Sequence, residues 1–505
     1  MEERILIVGG GIAGLWSALA LAKSGRPVTI IERDPPAPDG REGENAADTA
    51  FTDWERRGVG HLRHSHAFLA RLHKHIQTWH PELMRDLLDA GCREIRFADS
   101  MPLAIRDSYV PKPGDEELTI LTSRRTTLEF VMRRYAQRQP GIEFITDTLV
   151  RDILTETENG RLAVTGLIVE RDGEREQWPA DTVIDAAGKN SQLIDLLNEH
   201  GAGIEEKSER AGILYFTRHF RLHEGMAEPE RNKVPGAGDM GYMKYGVFPA
   251  DNGCFSITIA VPEIEMELRK AIIRPETFDF ICTQLPGVAP WTAEDRSKPV
   301  SKVYGMGELI SRWRYLADEE GPRVLNFFPI GDSFIRTNPL YGRGCTFAAI
   351  EAETLVHTFD RTKNPVARAT LYFNNVSDAL RPYYKDMVAQ DQAAIRRARN
   401  AINPAYRPSL RNRVIRSFAE DAITPALRGD VELLRGFMRA FHMLDKPSEF
   451  MRNPANVAKI MGVWARGKKR NAPYYPPKLG PDRQEMMALL NLPATSDWER
   501  LQDAA

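Results

Sequence analysis

Apolar residues change their spacing twice within the first 31 positions of the chain. Residues 5–8 form an uninterrupted apolar run, which is typical of a buried parallel strand. Between residues 12 and 24, Ala and Leu recur at helical spacing until Gly25, and residues 28–31 form a second short strand-like run. This order predicts a strand, a crossover helix and a second, parallel strand.

Three glycines stand between the first strand and the helix. Gly9, Gly11 and Gly14 have the GxGxxG spacing. Gly9 allows a tight turn, Gly11 leaves room for a pyrophosphate against the backbone, and Gly14 lets helix and strand pack closely. The helix directs its first N–H groups at the phosphates, and Glu32, after the second strand, can accept hydrogen bonds from ribose hydroxyls. The turn predicts a dinucleotide site without distinguishing FAD from NAD.

A second pattern lies about 300 residues further along the chain. Residues 324–330 predict a strand that ends at Gly331 and Asp332, and the loop 338–344 (NPLYGRG) precedes a helix that begins near Cys345. An acid at a strand end can bind a ribityl or ribose hydroxyl. The small residues let the positive end of the helix approach an electron-rich ring, and a reduced flavin carries negative charge near N1. This pattern favours a flavin.

Together these motifs resemble those of the group A flavoprotein monooxygenases, which have the p-hydroxybenzoate hydroxylase-like fold. Two stretches between them agree with this resemblance. Residues 123–137 (SRRTTLEFVMRRYAQ) are similar to the family's Arg-x-x-Leu-Glu segment. Residues 183–193 (VIDAAGKNSQL) resemble the strand and turn through which the family returns to its dinucleotide-binding domain. The resemblance implies an FAD cofactor with Arg125 close to it.

A further stretch resembles one branch of that family. Residues 56–72 (RRGVGHLRHSHAFLARL) are similar to the RxGVPQxxHxH segment of bacterial epoxidases and related oxidoreductases, with Gly60 and His61 in place of Pro-Gln. Residues 185–188 are Asp-Ala-Ala-Gly, whereas hydroxylases that take NAD(P)H directly often carry Asp-Gly there. The resemblance therefore leaves two electron donors open: NAD(P)H itself or a partner flavin reductase.

Six of the eleven histidines lie within residues 61–80. Residues 64–79 are predicted to be helical, where the two side chains of an HxH pair diverge, and no acidic or cysteine ligand accompanies the histidines. We therefore expect no metal site. The resemblance implies instead that Arg63 and His64 contact the FAD, with His66 near the ribityl chain or the ring edge. The histidines after residue 70 are expected on a surface helix.

The segment after the second strand is long and polar. Residues 33–60 are rich in Pro, Gly and Asp, which predicts either a functional loop that brings Arg41 toward the flavin or a disordered connection.

From residue 205 to about residue 300 the pattern becomes that of strands, as in GILYFTRHFRL and CFSITIAVP. We expect an antiparallel sheet over the flavin that supplies the substrate pocket. Its candidate wall residues are Tyr215, Phe216, Tyr245 and Phe248. Tyr215 and Phe216 are neighbours, so only one of them can face the pocket.

Helical spacing returns after residue 360, for example over 391–399 and 430–444, and seven arginines lie between residues 396 and 416. These arginines form either a solvated face or a surface for an acidic partner or lipid headgroups. The net charge of −2 over 505 residues excludes a general attraction to nucleic acid, and four cysteines without CxxC spacing indicate a reducing compartment. Without a signal peptide or membrane span, we expect a cytoplasmic protein, and the sequence leaves peripheral membrane contact open.

The predicted fold is α/β, with a Rossmann-like FAD-binding domain, an antiparallel-sheet substrate domain and a helical C-terminal region. Residues 1–204 and 300–360 are expected to form the FAD-binding domain, 205–299 the substrate sheet and 361–505 the helical region. Part of the segment 90–122 is open to either of the first two.

The resemblance implies an FAD-dependent monooxygenase, either a hydroxylase or an epoxidase. Reduced FAD would add O₂ at C4a to give a hydroperoxide, which oxygenates a small hydrophobic aromatic or alkene substrate. One alternative is an FAD-dependent reductase or dehydrogenase of an isoprenoid-like substrate, as in geranylgeranyl reductase relatives. A flavin halogenase is another, although SRWRYL at 311–316 does not match the Trp-x-Trp-x-Ile-Pro signature. The alternative from another class is a non-catalytic FAD-binding partner protein.

The sequence identifies no catalytic residue, because the flavin would carry the chemistry. The residues expected to contact the FAD are Gly9, Gly11, Ile12, Ala13, Gly14, Glu32, Arg33, Arg63, His64, Arg125, Gly331, Asp332, Pro339, Gly342, Gly344 and Cys345.

Overall fold

A parallel sheet lies at the centre of the computed structural model, which describes residues 3–41, 45–158, 160–230 and 234–493. Its strands, in spatial order, are Phe327–Pro329, Thr182–Asp185, Ile5–Val8, Val28–Ile31 and Ile142–Ile145. Every residue of Ile5–Val8 is buried, which accounts for its uninterrupted apolar run. The helix that follows spans Ile12–Lys23, so the strand–helix–strand prediction is confirmed.

Other elements cover this sheet. The helix Ile12–Lys23 packs against the helices Arg125–Gln137 and Gly344–Arg361. An antiparallel sheet of the strands Leu149–Glu158, Arg161–Arg171 and Glu174–Pro179 packs against Thr182–Asp185. The apolar side chains between these layers form the largest hydrophobic core of the described residues.

The single strand predicted over residues 324–330 is wrong in one respect, because the chain forms two strands there. Val324–Leu325 pairs with Arg161–Arg171, whereas Phe327–Pro329 pairs with Thr182–Asp185. Asn326 between them has φ +61°, a left-handed conformation that a strand does not contain. The apolar pattern does not reveal this change of sheet because the residues on both sides of Asn326 are buried.

The expected antiparallel sheet is present, and we call it the roof sheet. Its strands, in order, are Ala237–Asp239, Lys244–Pro249, Cys254–Pro262, Ile213–Leu222 and Ser297–Pro299, and Tyr304–Met306 also pairs with Ile213–Leu222. One face carries its own apolar core, which includes Phe216, Phe255 and Phe278. The other face borders a large cavity.

Two small antiparallel sheets connect these layers. One consists of Glu205–Arg210, Ile310–Tyr315 and Ile335–Arg336, and the other of Ala67–Phe68, Ile120–Thr122 and Arg93–Ile95. Helices in the connections span Ala46–Asp53, Ala70–Trp79, Pro81–Asp89, Leu103–Arg106, Leu193–Glu199, Met266–Ile272, Pro275–Gln284 and Ala289–Thr292.

Two local predictions are corrected by these bounds. The segment 64–79 is not one helix, because Ala67–Phe68 is a strand and the helix begins at Ala70. The connection 33–60 contains the helix Ala46–Asp53, capped by the side chain of Asn45. Arg41 pairs with Asp53, at 2.5 Å, and is not part of the cavity lining. The suggested approach of Arg41 to the flavin is therefore wrong.

The C-terminal region is helical. Its helices span Pro365–Ile402, Leu410–Ser417, Thr424–Gly429, Val431–Phe441, Glu449–Arg452, Pro454–Asn471 and Arg483–Leu489. Arg435 and Arg439 of the helix Val431–Phe441 pair with Asp115 at 2.5 Å and Glu117 at 3.0 Å, which fixes this helix against the segment 97–118. Across the described part of the chain, no helix combines the length and apolar character needed to cross a membrane.

Candidate cofactor and substrate cavity

A cavity of about 980 Å³ lies where the carboxyl ends of the parallel strands meet the roof sheet. This volume is at the upper end of the range of about 300–1,000 Å³ typical of ligand sites. Most of the expected cofactor residues line it: Gly9, Gly11, Ile12, Ala13, Glu32, Arg33, His64, Arg125, Gly331, Asp332, Pro339, Gly342, Gly344 and Cys345. The structure therefore brings together motifs that lie more than 300 residues apart.

The glycines of the glycine turn, residues 9–14, have two roles: some allow close packing of the backbone, and one leaves open space. A Cβ on Gly14 would lie 1.9 Å from the carbonyl oxygen of Gly9, and a Cβ on Gly9 would lie 2.6 Å from that of Ala186. A Cβ on Gly11 would meet nothing closer than Arg56 Nη2, at 3.9 Å, and Gly11 lines the cavity. Gly9 and Gly14 are thus required by the protein itself, whereas Gly11 keeps open a space that the protein does not fill.

The helix Ile12–Lys23 begins beside this open space. No side chain caps its first turn, and the turn contains no acidic residue. Gly11, Ile12 and Ala13 all line the cavity, so the positive end of the helix faces it. Such a helix start is suited to bind a phosphate.

Glu32 stands at the end of its strand, as expected, with its carboxylate held on both sides. Oε2 accepts hydrogen bonds from the Gly10 N–H at 2.8 Å and from Arg56 Nη2 at 2.9 Å, and Oε1 accepts one from the Asp34 N–H at 3.0 Å. Glu32 lines the cavity together with Arg33 and Thr148, and the Thr148 N–H donates to the Glu32 carbonyl oxygen at 3.1 Å.

Arg56 is a cavity residue that the sequence reasoning missed, although it is the first residue of the RxGV stretch. Its buried guanidinium donates to Glu129 at 2.6 Å, to Glu32 at 2.9 Å and to Asp34 at 3.3 Å. Burial alone would lower the pKa of Arg56, but attraction to these three carboxylates outweighs burial and raises it. Arg125 shares the partner Glu129 at 3.0 Å, so one ionic network runs from the glycine turn toward the aspartate loop.

The aspartate loop, residues 331–344, touches the glycine turn directly. Gly331 has φ +67°, and a Cβ there would lie 2.8 Å from the Cβ of Ala13. Its N–H donates to Glu351 Oε2 at 2.6 Å, which holds the loop on the helix Gly344–Arg361. Burial raises the pKa of Asp332, against the attraction of Arg336 and other cations, and no described residue donates a hydrogen bond to its carboxylate.

The rest of the aspartate loop is fixed by side chains from two other regions. Asn338 Oδ1 accepts hydrogen bonds from Tyr215 Oη at 2.7 Å and from the Leu340 N–H at 3.1 Å, and its Nδ2 donates to Asp391 at 2.9 Å. Tyr341 Oη donates to the same Asp391 oxygen at 3.0 Å. Burial raises the pKa of Asp391 to about 6. The C-terminal helix that carries Asp391 therefore positions the loop beside the cavity.

The segment 61–66 only partly follows the expectation. His61, His64 and His66 line the cavity, whereas Arg63 does not. The Arg63 guanidinium instead donates to the carbonyl oxygens of Phe51 at 2.8 Å and Trp54 at 3.0 Å, at the end of the helix Ala46–Asp53. A cation favours the negative end of a helix, which explains why Arg63 turns away from the cofactor region.

Burial keeps the three cavity histidines neutral. It lowers the pKa of His64 to about 4 and that of His66 to about 3, and it lowers that of His61 well below the ordinary value. Arg125 adds to the shift for His61 and His66 by repulsion.

The expectation of a surface helix is wrong for the later histidines. His73 and His80 are buried, and His73 Nε2 lies 2.6 Å from Glu94. Among residues 3–41, 45–158, 160–230 and 234–493, no three histidine, cysteine or acidic side chains are grouped to hold a metal ion.

The roof sheet gives the cavity its other wall. Thr217 pairs in register with Thr258, and Gly246 lies on the other side of Thr258, so these residues form a row of small side chains. Tyr215 and Phe248 of the expected wall line the cavity on either side of this row. Phe216 points to the opposite face, into the core of the roof sheet, as the alternation along a strand requires. Tyr245 borders the cavity, but it packs in the same core and its hydroxyl donates to the carbonyl of Pro235 at 3.3 Å.

The C-terminal region contributes residues that sequence reasoning missed. Met438, Phe441 and His442, at the end of the helix Val431–Phe441, line the cavity together with Phe97 and Leu118. Their spacing in the sequence is that of any amphipathic helix, and only the docking of this helix on the segment 97–118 reveals their position. The cavity lining therefore draws on the segment 97–118 and the helix Val431–Phe441 in addition to the roof sheet.

Lys189 also lines the cavity and was not among the expected residues. Its Nζ would lie 3.6 Å from a Cβ on Gly60, which places the ammonium against the histidine segment. The signal in the sequence was the cation directly after Gly188 in the stretch VIDAAGKNSQL, because a lysine at such a position suits a phosphate.

The arrangement fits FAD. A glycine turn with an open Gly11, an uncapped helix start and Glu32 lie at one end, and Asp332 and a loop rich in small residues lie further along the same cavity. An extended dinucleotide can place its pyrophosphate at the helix start and its ring toward the roof sheet.

Comparison with known proteins agrees with this fit. Residues 4–208 match the family model described as FAD binding domain. A kynurenine 3-monooxygenase of Salinispora arenicola (strain CNS-205) is 29% identical over 209 residues, which are 40% of this chain and 39% of the relative. The match thus spans about two fifths of the relative's length.

Solved structures share the fold over more of the chain. The p-nitrophenol 4-monooxygenase PnpA of Pseudomonas putida DLL-E4 aligns with a TM-score of 0.58 at 14% identity, covering 88% of this chain and 99% of that one. PqsL of P. aeruginosa, in complex with 2-aminobenzoylacetate, aligns with a TM-score of 0.56 at 15% identity, covering 79% and 98%. Residues 4–208 thus form an FAD-binding domain, and the chain shares the fold of these solved structures.

Proposed function

We propose that the protein is an FAD-dependent monooxygenase that hydroxylates or epoxidises a small hydrophobic aromatic or alkene substrate. The observation that carries this proposal is the direct contact between the glycine turn and the aspartate loop at one cavity, which continues into an apolar pocket under the roof sheet. Bound FAD, once reduced, supplies the activation of O₂.

The chain's own residues bind the FAD and orient it in the cavity. Gly11 and the start of the helix Ile12–Lys23 hold the pyrophosphate, Glu32 the ribose hydroxyls, and Asp332 a ribityl hydroxyl. Lys189 adds positive charge near Asp332, whose pKa burial raises and Lys189 helps to lower. Arg56 does not compete for this role, because three carboxylates already neutralise it.

The substrate end excludes water and carries little charge. Tyr215, Phe248, Met306, Leu309 and Phe97 present apolar surface to the cavity, and the neighbouring histidines are neutral. Such an environment favours an uncharged substrate and protects reactive oxygen species from water. The similarity to kynurenine and p-nitrophenol monooxygenases supports an aromatic substrate.

Labelled oxygen tests the proposal against the reductase alternative. The holoenzyme is supplied with NADH or NADPH, alone and with a flavin reductase, and with a panel of phenols, anilines and alkenes under ¹⁸O₂. A monooxygenase places one ¹⁸O atom in the product and consumes oxygen only when a substrate is present. Turnover that continues without oxygen and leaves the product unlabelled would replace the proposal by the reductase function. If every electron donor reduces the flavin slowly and no substrate speeds this reduction, a non-catalytic flavoprotein would be favoured.

A further inference from the structure

A continuous ladder of hydroxyl groups ends at His64. His64 Nδ1 lies 3.0 Å from Thr217 Oγ1, which lies 2.7 Å from Thr258 Oγ1. Thr258 Oγ1 donates to Ser65 Oγ at 2.7 Å, and Ser65 Oγ lies 2.7 Å from Ser256 Oγ. His64, Ser65, Thr217 and Thr258 all line the cavity.

Counting protons along this ladder assigns the tautomer of His64. A hydroxyl has one proton, and that of Thr258 is used on Ser65. Thr258 must therefore accept from Thr217, whose own proton is then used as well. Thr217 must accept in turn, so His64 Nδ1 carries a proton and donates it. A neutral imidazole has only one N–H, so Nε2 keeps a free lone pair.

Burial holds His64 in this neutral form over the physiological range, because it lowers the pKa to about 4. No described residue makes a hydrogen bond to Nε2. His64 Nε2 is thus a fixed hydrogen-bond acceptor in a cavity that the apolar side chains of Tyr215 and Phe248 also line.

We infer that His64 is a specificity-determining residue, whose Nε2 accepts a hydrogen bond from a hydroxyl or amino group on an otherwise apolar substrate. The inference rests on the proposed function, since it names the substrate class of the same cavity. Thr258 and Thr217 are small and leave space beside this acceptor, with Tyr215 on one side and, on the other, the Phe248 ring, which covers Gly246. A ring that fills this space can point its donor at His64.

The structure assigns Thr217 a separate role, that of a positioning residue. Its Oγ1 accepts the hydrogen bond from Nδ1–H and so fixes both the orientation and the tautomer of the ring, because the partner of one ring nitrogen decides which nitrogen carries the proton. Replacing Thr217 by Val removes the acceptor but keeps the shape, whereas Ser keeps the acceptor.

Binding of four probes of equal ring size tests the inference without turnover. 1-Naphthol, 1-naphthylamine, 1-methoxynaphthalene and naphthalene are titrated into the oxidised holoenzyme, and the change in flavin absorbance is followed. We expect 1-naphthol and 1-naphthylamine to bind at least ~10-fold more tightly than the ether and the hydrocarbon, since a site built around a hydrogen bond discriminates against ligands that lack it. In His64→Leu this ratio should fall to about 1, in Thr217→Val it should fall several-fold, and Thr217→Ser should keep it.

Thr283→Val is the matched control, because Thr283 is exposed on the helix Pro275–Gln284 and should leave all four affinities unchanged. Equal binding of naphthol and its ether to the wild type, or no binding of either, overturns the inference. Because no oxygen chemistry is involved, that result leaves the proposed monooxygenase function standing. A protein that shows the expected selectivity but incorporates no ¹⁸O would instead contradict the proposed function alone.

Nitrogen NMR gives a second readout that does not depend on variants folding. With ¹⁵N-labelled histidine in the wild-type holoenzyme, the His64 signal should show a protonated Nδ1 and a bare Nε2 at pH 7, and 1-naphthol should shift the Nε2 resonance. A protonated Nε2 would overturn the assignment.

Discussion

The two ends of the cavity are built by different physical means. At the cofactor end, backbone groups and buried ion pairs define the shape: Gly11 leaves a gap, and Arg56 joins Glu32 to Glu129. At the substrate end, apolar side chains and a ladder of hydroxyls define it, and its histidines are uncharged. The first end suits a ligand with two phosphates, and the second suits a neutral ligand with one polar group.

The difference shows where each kind of recognition comes from. Phosphate binding at the glycine turn uses groups within a few residues of one another, so it requires a fixed local backbone. The rest of the cavity lining includes the roof sheet, the segment 97–118 and the helix Val431–Phe441, and a change in any of them should alter the pocket without disturbing the turn. Variants at each end should therefore separate cofactor affinity from fold stability and from selectivity.

The largest effect on FAD binding is expected for Gly11→Val. Its side chain would enter the open space above the turn, so FAD should bind at least ~100-fold more weakly, equivalent to ~2.7 kcal/mol. The apoprotein should keep its fold, because a Cβ at Gly11 meets nothing closer than 3.9 Å. Flavin content after purification reports on FAD binding, and circular dichroism of the apoprotein reports on the fold.

Gly14→Ala is the contrasting variant, since its Cβ would lie 1.9 Å from the carbonyl oxygen of Gly9 and should prevent stable folding. Gly462→Ala, where nothing lies within 4 Å, is the neutral control. A Gly11→Val protein with a full complement of FAD would show that the pyrophosphate lies elsewhere.

Phe216→Ala should reduce stability rather than binding. Phe216 is buried in the core of the roof sheet, and its truncation should lower the free energy of unfolding by ~3 kcal/mol. Chemical denaturation measures this loss, and FAD affinity should change by less than about twofold, well below the tenfold that 1.4 kcal/mol would produce. A large loss of naphthol selectivity in this variant would place Phe216 on the cavity face after all.

The response to acid should differ between the wild type and His64→Gln. The native pKa of His64 is about 4, below the ordinary value of 6.5, so the neutral native form stabilises the fold above pH 6.5. That contribution is lost as the pH falls from 6.5 toward 4, by ~1.4 kcal/mol per pH unit. Denaturation at pH 7.5 and 5 should show the advantage of the wild type over His64→Gln shrinking by ~2 kcal/mol. A pH-independent difference would mean that His64 is charged or solvated in the native state.

Asp332→Ala should weaken FAD binding ~10-fold, through loss of a hydrogen bond to a ribityl hydroxyl. The stability of the apoprotein should stay constant or rise, because the Asp332 carboxylate has no hydrogen-bond donor among the described residues and its burial is unfavourable. Equilibrium dialysis and apoprotein denaturation measure the two quantities. The control is Asp378→Ala, an exposed acid on the helix Pro365–Ile402. Unchanged FAD affinity in Asp332→Ala would contradict the assigned contact.

The smallest effect is expected for Arg63→Met. Its guanidinium binds carbonyl oxygens at the end of the helix Ala46–Asp53, so the loss should be ~1 kcal/mol of stability with FAD affinity nearly unchanged. A marked fall in FAD affinity would show that Arg63 contacts the cofactor after all.

The elements that the sequence predicted well are those with local causes. The strand Ile5–Val8, the helix Ile12–Lys23 and the turn between them follow from apolar spacing and glycine sterics within 20 residues. The aspartate loop was found for the same reason. Asn326 was missed because a single left-handed residue between two buried strands leaves the apolar pattern intact.

The site residues that were missed depend on distant partners. Arg56 is a cavity residue because Glu32 and Glu129 surround it, and neither lies near it in the sequence. Thr217 and Thr258 meet only through the register of the roof sheet. The sequence alone does not show which threonines of two strands lie opposite each other. Arg63 was misplaced because the helix Ala46–Asp53, whose end it binds, was not foreseen.

The crystal structure of the FAD complex tests the central claim most directly, namely that the glycine turn and the aspartate loop hold one flavin. We expect the pyrophosphate within hydrogen-bond distance of the backbone N–H groups after Gly11, a ribityl hydroxyl on Asp332, and the ring between the aspartate loop and the cavity histidines. An FAD whose ring points away from Asp332, or a pyrophosphate that does not contact the glycine turn, would contradict the account.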